Sequence, residues 1–138
     1  MNLTDLMKRE PVTIEPTATI KQAAEKMRDV CCGILPVTEN GSPVGIITDR
    51  DITIRATAEG KSPTQIKVRD VMTDNELFIC HESDTAQDAF RKMRQNAVGR
   101  LLVMDTHDKL IGIVSMADII ADAPEDIWDQ LPGHRIAA

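Results

Sequence analysis

Apolar residues recur at helical spacing in two segments of the chain that resemble one another. The segments are TATIKQAAEKMRD and SDTAQDAFRKMRQ, and each predicts an amphipathic helix. Thr17 or Thr19 is the expected N-cap of the first helix, and Ser83 or Asp84 that of the second. The matching apolar positions lie 66 residues apart; the faces hold Ile20, Ala23, Ala24 and Met27 in the first helix, and Ala86, Ala89, Phe90 and Met93 in the second.

Each predicted helix is followed by two short apolar runs with a polar turn between them. The runs are ILPV and VGII in the first copy, and RLLV and IGIV in the second. The order of strand, turn and strand predicts a β-hairpin in each copy.

A repeated octapeptide follows each hairpin, with its copies 67 residues apart: GIITDRDI at residues 45–52 and GIVSMADI at residues 112–119. Both contain Gly-x-x-(Thr/Ser)-x-x-Asp-Ile, and both open a second helical pattern. Upstream of each copy, DLM at 5–7 matches DVM at 70–72. The chain therefore contains an internal duplication. Small insertions lie before and after the part of the repeat in which the offset is constant.

The duplication predicts the domain organisation. We expect a first motif at 5–58, a connector at 59–69, a second motif at 70–123 and a tail at 124–138 with a short helix carrying Trp128. A two-stranded sheet is marginal by itself, so the copies are expected to pack together with pseudo-twofold symmetry. The fold class is α+β, with a small sheet and two flanking helices in each motif.

Composition excludes several classes of function. A formal charge of −6 argues against nucleic-acid binding, which needs a basic surface. No apolar run approaches the ~20 residues of a membrane helix, and no signal peptide is visible. The three cysteines and three histidines have no disulfide or metal-site spacing, so we expect reduced thiols, no metal and a cytoplasmic location.

The repeated elements resemble the tandem cystathionine-β-synthase (CBS) domain pair, or Bateman module, over about residues 5–121. GILPV and GIITDRDI carry the resemblance in the first copy, and DVM, GRLLV and GIVSMADI in the second. The second copy departs from the usual pattern: it has Leu102 in place of Pro36, and Met116 and Ala117 in place of Asp49 and Arg50. Two sites, if present, are therefore not equivalent.

The resemblance implies a ligand-sensing module that binds AMP, ADP, ATP or S-adenosylmethionine and signals to a protein partner. It also implies a homodimer, for which we expect an apolar helix face formed by Ile20, Ala24, Met27, Ala86, Phe90 and Met93. From the residues themselves we expect no catalytic residue, no required cofactor and no contact with membrane or nucleic acid.

The chemistry of the repeated motif fits a nucleotide. The carboxylate of Asp51 or Asp118 can accept hydrogen bonds from both ribose hydroxyls, and Thr48 or Ser115 lies one helical turn earlier. Free N–H groups at each helix start favour a phosphate, to which Arg50 and Arg100 can add charge. Family geometry implies adenine contacts from Cys32, Gly33, Ile34 and Val12 for the Ser115/Asp118 pocket, and from Val98, Gly99 and Met72 for the Thr48/Asp51 pocket.

Two alternatives remain open from the sequence. Thr-x-x-Asp and Ser-x-x-Asp are also helix-capping boxes, so the twin acids can be structural and the protein a ligand-free dimeric scaffold. An enzyme is the weaker alternative, because no set of nucleophile, base and orienting group is visible. Ligand binding explains in addition why the whole hairpin before the motif is repeated.

Overall fold

The computed structural model describes residues 2–75 and 77–122, and the predicted tail helix around Trp128 lies outside them. Contacts divide the chain into two compact units. The first unit is Pro11–Leu77, and the second combines Met1–Glu10 with Phe78–Ala138. Each unit thus contains the hairpin of one repeat together with the segment that leads into the other repeat.

The elements follow in chain order, with short helices alternating with short strands. They are α1 Leu3–Leu6, β1 Lys8–Arg9, α2 Ile20–Val30, β2 Ile34–Glu39, β3 Ser42–Thr48, α3 Asp49–Ile52, a π-helix Thr53–Thr57, α4 Val68–Val71, β4 Ile79–His81, α5 Ala86–Asn96, β5 Arg100–Met104, β6 Leu110–Ser115 and α6 Met116–Asp122. Among the described residues, no helix has the length and apolar character needed to cross a membrane. The mixed α and β class and the small sheets agree with the sequence prediction.

The sheet of the first unit is built around the predicted hairpin. β2 and β3 are antiparallel, with Ile34 opposite Thr48. Single bridges extend the pair on both sides: Ile14 pairs in parallel with Val37, and Thr73 pairs antiparallel with Ile46. The order across the unit is therefore Thr73, β3, β2 and Ile14.

The second unit repeats this order, with short strands in place of the single bridges at its two edges. Its sheet runs β1, β6, β5, β4, with β5 and β6 forming the predicted antiparallel hairpin. β4 is parallel to β5, and β1 is antiparallel to β6 with Lys8 opposite Ile113. Lys8 therefore occupies the place that Thr73 holds in the first unit. We call residues 2–10 and 68–75 the lead-in segments.

The two long helices begin and end at matching positions. Thr19 caps α2, as predicted, and its hydroxyl accepts a hydrogen bond from the backbone N of Gln22 at 3.2 Å. The predicted cap of α5 at Ser83 or Asp84 is wrong, because Thr85 takes this place and accepts from the N of Asp88 at 3.1 Å. Asp84 instead accepts from the backbone N of His81 in the preceding turn.

Both helices bury their apolar faces in the core of their own unit, which corrects the expected dimer face. Ile20 and Met27 are 1% and 8% exposed and belong to the core of the first unit. Ala86, Phe90 and Met93 are at most 2% exposed and belong to the core of the second unit. Of the six residues, only Ala24 is exposed. The other five therefore stabilise the fold and are not available to a second copy.

The glycine of each octapeptide lies against a methionine of a lead-in segment. A Cβ added at Gly45 would lie 2.7 Å from Sδ of Met72, and one added at Gly112 would lie 2.5 Å from Sδ of Met7. The same positions approach the carbonyl oxygens of Thr73 at 3.1 Å and Lys8 at 3.0 Å. Glycine is required here because the lead-in backbone packs directly on the strand.

Replacing Gly112 by alanine is therefore expected to lower the free energy of unfolding by about 1–3 kcal/mol, the usual cost of overpacking a core. Gly99→Ala is the matched control, because a Cβ at Gly99 meets no atom within 4 Å. Urea denaturation followed by circular dichroism measures both. Equal stability of the two variants would show that the strand and the lead-in segment do not pack as described.

Candidate functional site

The repeated octapeptide forms the end of a strand and the start of a helix in the first unit. Thr48 ends β3 and caps α3, and its Oγ1 accepts a hydrogen bond from the backbone N of Asp51 at 3.1 Å. In return, Oδ2 of Asp51 accepts from the backbone N of Thr48 at 3.0 Å. This reciprocal pair is a capping box.

The second unit forms the same arrangement at Ser115 and Asp118. Oγ of Ser115 accepts from the N of Asp118 at 3.1 Å, and Oδ2 of Asp118 accepts from the N of Ser115 at 2.9 Å. The capping alternative is thus realised in both copies. The capping box uses only Oδ2 of each aspartate. The surroundings of Oδ1 therefore determine whether the aspartate can also bind a ligand.

The second oxygen of Asp51 has neighbours within its own unit. Oδ1 lies 3.4 Å from Oγ1 of Thr73, which donates to it, and 3.9 Å from Nε of Arg55. The residue is only 9% exposed. Asp118 is half-buried, and within residues 2–75 and 77–122 no donor reaches its Oδ1.

Arg55 ties the motif to the lead-in segment. It lies on the π-helix Thr53–Thr57, and its Nη1 donates to the carbonyl oxygens of Val71 and Met72, both at 3.1 Å. Sequence reasoning missed Arg55 and Thr73. The available signal was an arginine four residues after Asp51, a spacing that places opposite charges on one helix face.

The two predicted arginines are exposed beside the twin acids. Arg50 lies on α3, next to Asp51, and its backbone N donates to Oδ1 of Asp49 at 2.9 Å. Arg100 begins β5 and pairs with Ser115 across the strands. Both guanidinium groups stay within reach of solvent anions.

The glycines before the hairpins have different surroundings. The carbonyl of Gly33 accepts from the N of Asp49 at 2.9 Å, and a Cβ at Gly33 would lie 2.7 Å from the carboxylate of Asp49. The carbonyl of Gly99 accepts from the N of Met116 at 2.8 Å, but the space around its Cα is open. The carboxylate of the exposed Asp49 thus covers the backbone of Gly33, whereas Gly99 leaves the open backbone expected for a ligand.

The remaining predicted adenine contacts are divided between the units. Val12 and Met72 pack against the core of the first unit, and Val98 against that of the second. Cys32 and Ile34 also lie in the first unit, where the thiol of Cys32 donates to the carbonyl of Ile34 at 3.3 Å. Met72 and Asp51 lie in the same unit. The groupings that mix the two copies remain predictions.

The cysteines fit structural roles. Cys80 is buried, and burial raises the pKa of its thiol to about 12, so the reactive thiolate does not form at neutral pH. Cys31 is exposed and ends α2 in a left-handed conformation. Over the described parts of the chain, no three histidine, cysteine or acidic side chains are grouped to hold a metal ion.

Comparison with known proteins identifies the class to which this fold and the twin motif belong. The family model for the CBS domain matches residues 3–56 and 68–124, which is most of the chain. The chain therefore belongs to the CBS domain family and contains two CBS domains, as the sequence repeat predicted.

Several individual proteins are similar to the chain. It is 36% identical over 115 residues to the CBS domain-containing protein YhcV of Bacillus subtilis, covering 83% of this chain and 80% of that protein. It is 35% identical over 121 residues to the uncharacterized protein MK0525 of Methanopyrus kandleri, covering 87% of this chain but only 61% of that protein.

Among solved structures, the CBS domain pair of protein MJ0100, in complex with 5′-methylthioadenosine and S-adenosylmethionine, is similar. It has a TM-score of 0.75 and 27% identity, and the match covers 88% of this chain and 98% of that one.

Proposed function

We propose that this chain is a non-catalytic regulatory module that binds an adenosine-containing ligand and passes the binding event to a protein partner. The observation that carries the proposal is the same hydroxyl and carboxylate pair at the same place in two equivalent units. The candidate ligands are AMP, ADP, ATP and S-adenosylmethionine. Binding of two adenosine compounds by the CBS pair of MJ0100 supports this choice.

The carboxylate geometry suits a ribose. Each aspartate holds the end of its strand through Oδ2, so capping fixes the side chain in one orientation before a ligand arrives. Oδ1 is then the acceptor for the ribose hydroxyls, and a charged acceptor forms stronger hydrogen bonds than a neutral one. The exposed Arg50 and Arg100 supply positive charge for phosphates. Capping and ligand binding are therefore compatible roles of one residue.

A ligand-free scaffold is the second candidate, because the two capping boxes by themselves account for both acids. A homodimer remains a prediction in either case. The five core residues of α2 and α5 cannot form its interface.

A thermal-shift screen separates the two candidates. An adenosine ligand at about 100 times its dissociation constant stabilises the folded state by ~2.7 kcal/mol, which raises the melting temperature by several degrees. Guanosine nucleotides at the same concentration are the control and should raise it much less. If millimolar AMP, ADP, ATP and S-adenosylmethionine all leave the melting temperature unchanged, the scaffold is the better description.

A further inference from the structure

The twin carboxylates differ in how many donors they already satisfy. The carboxylate of Asp51 accepts hydrogen bonds from the backbone N of Thr48 and the hydroxyl of Thr73, and the guanidinium of Arg55 lies 3.9 Å from its Oδ1 as an ion pair. Of the described residues, only the backbone N of Ser115 donates to the carboxylate of Asp118. Oδ1 of Asp51 therefore already has one donor and one positive charge beside it, whereas Oδ1 of Asp118 has neither from the part of the chain that the structure describes.

The donors to Asp51 are held in place. Arg55 is fixed by its hydrogen bonds to the carbonyl oxygens of Val71 and Met72, both at 3.1 Å. Thr73 is fixed by its bridge to Ile46 in the sheet, where its N and O bond to the backbone of Ile46 at 2.8 and 2.9 Å. The Arg55 side chain cannot turn away without breaking its two bonds to backbone carbonyls, and the sheet holds the backbone of Thr73 beside Asp51.

The sequence does not place the same two residues at the matching positions of the second repeat. The counterpart of Thr73 is Lys8, which pairs with Ile113 as Thr73 pairs with Ile46. Lys8 is exposed and forms no ion pair with Asp118. The counterpart of Arg55 along the repeat is residue 122, where the sequence has an aspartate instead of an arginine.

We infer that the two sites are unequal: Asp118 takes the ribose of the first ligand molecule, whereas Thr73 and Arg55 occupy the Asp51 site as internal competitors. This inference rests on the proposed function and adds which site binds and which residues determine it. A ribose whose two hydroxyls both bond to Oδ1 of Asp51 has to displace the half-buried hydroxyl of Thr73, which would lose its partner, and has to weaken the ion pair with Arg55. We expect binding there to be weaker by about tenfold, which corresponds to 1.4 kcal/mol.

Calorimetric titration of the full chain tests the inference, with AMP and S-adenosylmethionine as separate titrants. The wild type should show one tight and one weak site per chain. Asp118→Asn should abolish the tight site, and Asp51→Asn should leave it unchanged. Thr73→Val, which removes the hydroxyl at nearly constant volume, should strengthen the weak site several-fold without changing the tight one.

Two further variants complete the experiment. Arg55→Ala should act on the weak site as Thr73→Val does, and circular dichroism shows whether its lead-in segment stays folded. Thr57→Val is the control, because it changes an exposed hydroxyl on the same π-helix. Two equal sites in the wild type, loss of tight binding in Asp51→Asn, or no effect of Thr73→Val would each overturn the inference. If neither titrant binds at millimolar concentration, the proposed function itself fails, and the inference with it.

Discussion

Replacing Asp118 by alanine is expected to weaken the binding of an adenosine ligand by roughly 30- to 150-fold. The substitution removes charged hydrogen bonds to the ribose hydroxyls, each worth ~1.5–3 kcal/mol, although the two do not add fully. A net loss of about 2–3 kcal/mol gives that range of affinities. Calorimetric titration of wild type and variant measures the change.

A second variant separates ribose binding from helix capping. Asp118→Asn keeps a side-chain oxygen that can accept from the backbone N of Ser115, so it preserves more of the capping box while removing the charge. If ribose binding is the role, both variants lose affinity. If capping is the only role, Asp118→Ala should lower the unfolding free energy by up to ~1 kcal/mol. Wild-type affinity in both variants, with a lowered melting temperature, would contradict the ligand assignment.

Phe90→Ala is expected to cause the largest loss of stability, about 3–5 kcal/mol in the free energy of unfolding. Phe90 is 2% exposed on α5 and packs in the core of the second unit, where truncation leaves a cavity. Urea denaturation followed by circular dichroism gives the value. Phe90→Leu keeps most of the apolar volume, so it should lower the free energy of unfolding much less. It provides a measurable loss of stability if the alanine variant is too unstable to study.

The repeat offers a matched control for this substitution. Ala24 lies on α2 at the position equivalent to Phe90, but it is exposed. Ala24→Ser should therefore change stability by no more than ~0.5 kcal/mol. If Phe90→Ala left the unfolding free energy unchanged and only converted dimers to monomers in light scattering, Phe90 would lie on an interface and its core position would be wrong.

The local part of the fold could be predicted from the sequence because its signals are close together in the chain. Helical spacing of apolar residues identifies α2 and α5, and two short apolar runs separated by a polar turn identify each hairpin. Each of these signals lies within a window of about 15 residues. The constant offset then strengthened each assignment by repeating it. The cap of α5 was missed because Ser83, Asp84 and Thr85 are all good caps, and only the backbone geometry selects among them.

The long-range part could not be predicted in the same way. The residues around Met7 and Met72 contain no local sequence signal for their packing on a distant glycine, because that contact forms only when the sheet is assembled. The same holds for the candidate site. The sequence identified the repeated acids and their caps, but the donors Thr73 and Arg55 reach Asp51 only through the position of the lead-in segment.

Each lead-in segment folds into the unit that holds the other repeat's hairpin, and this arrangement constrains the order of folding during protein synthesis. Residues 11–77 are contiguous, so the first unit can assemble as soon as Leu77 has left the ribosome. Leu3, Leu6 and Met7 belong to a core that is completed by Val114 and Ile119. At about 5–20 residues per second, translation of the intervening chain takes several seconds, during which the core around these three apolar side chains stays incomplete. The lead-in segment of residues 2–10 is thus made before the first unit but is fully buried only after it.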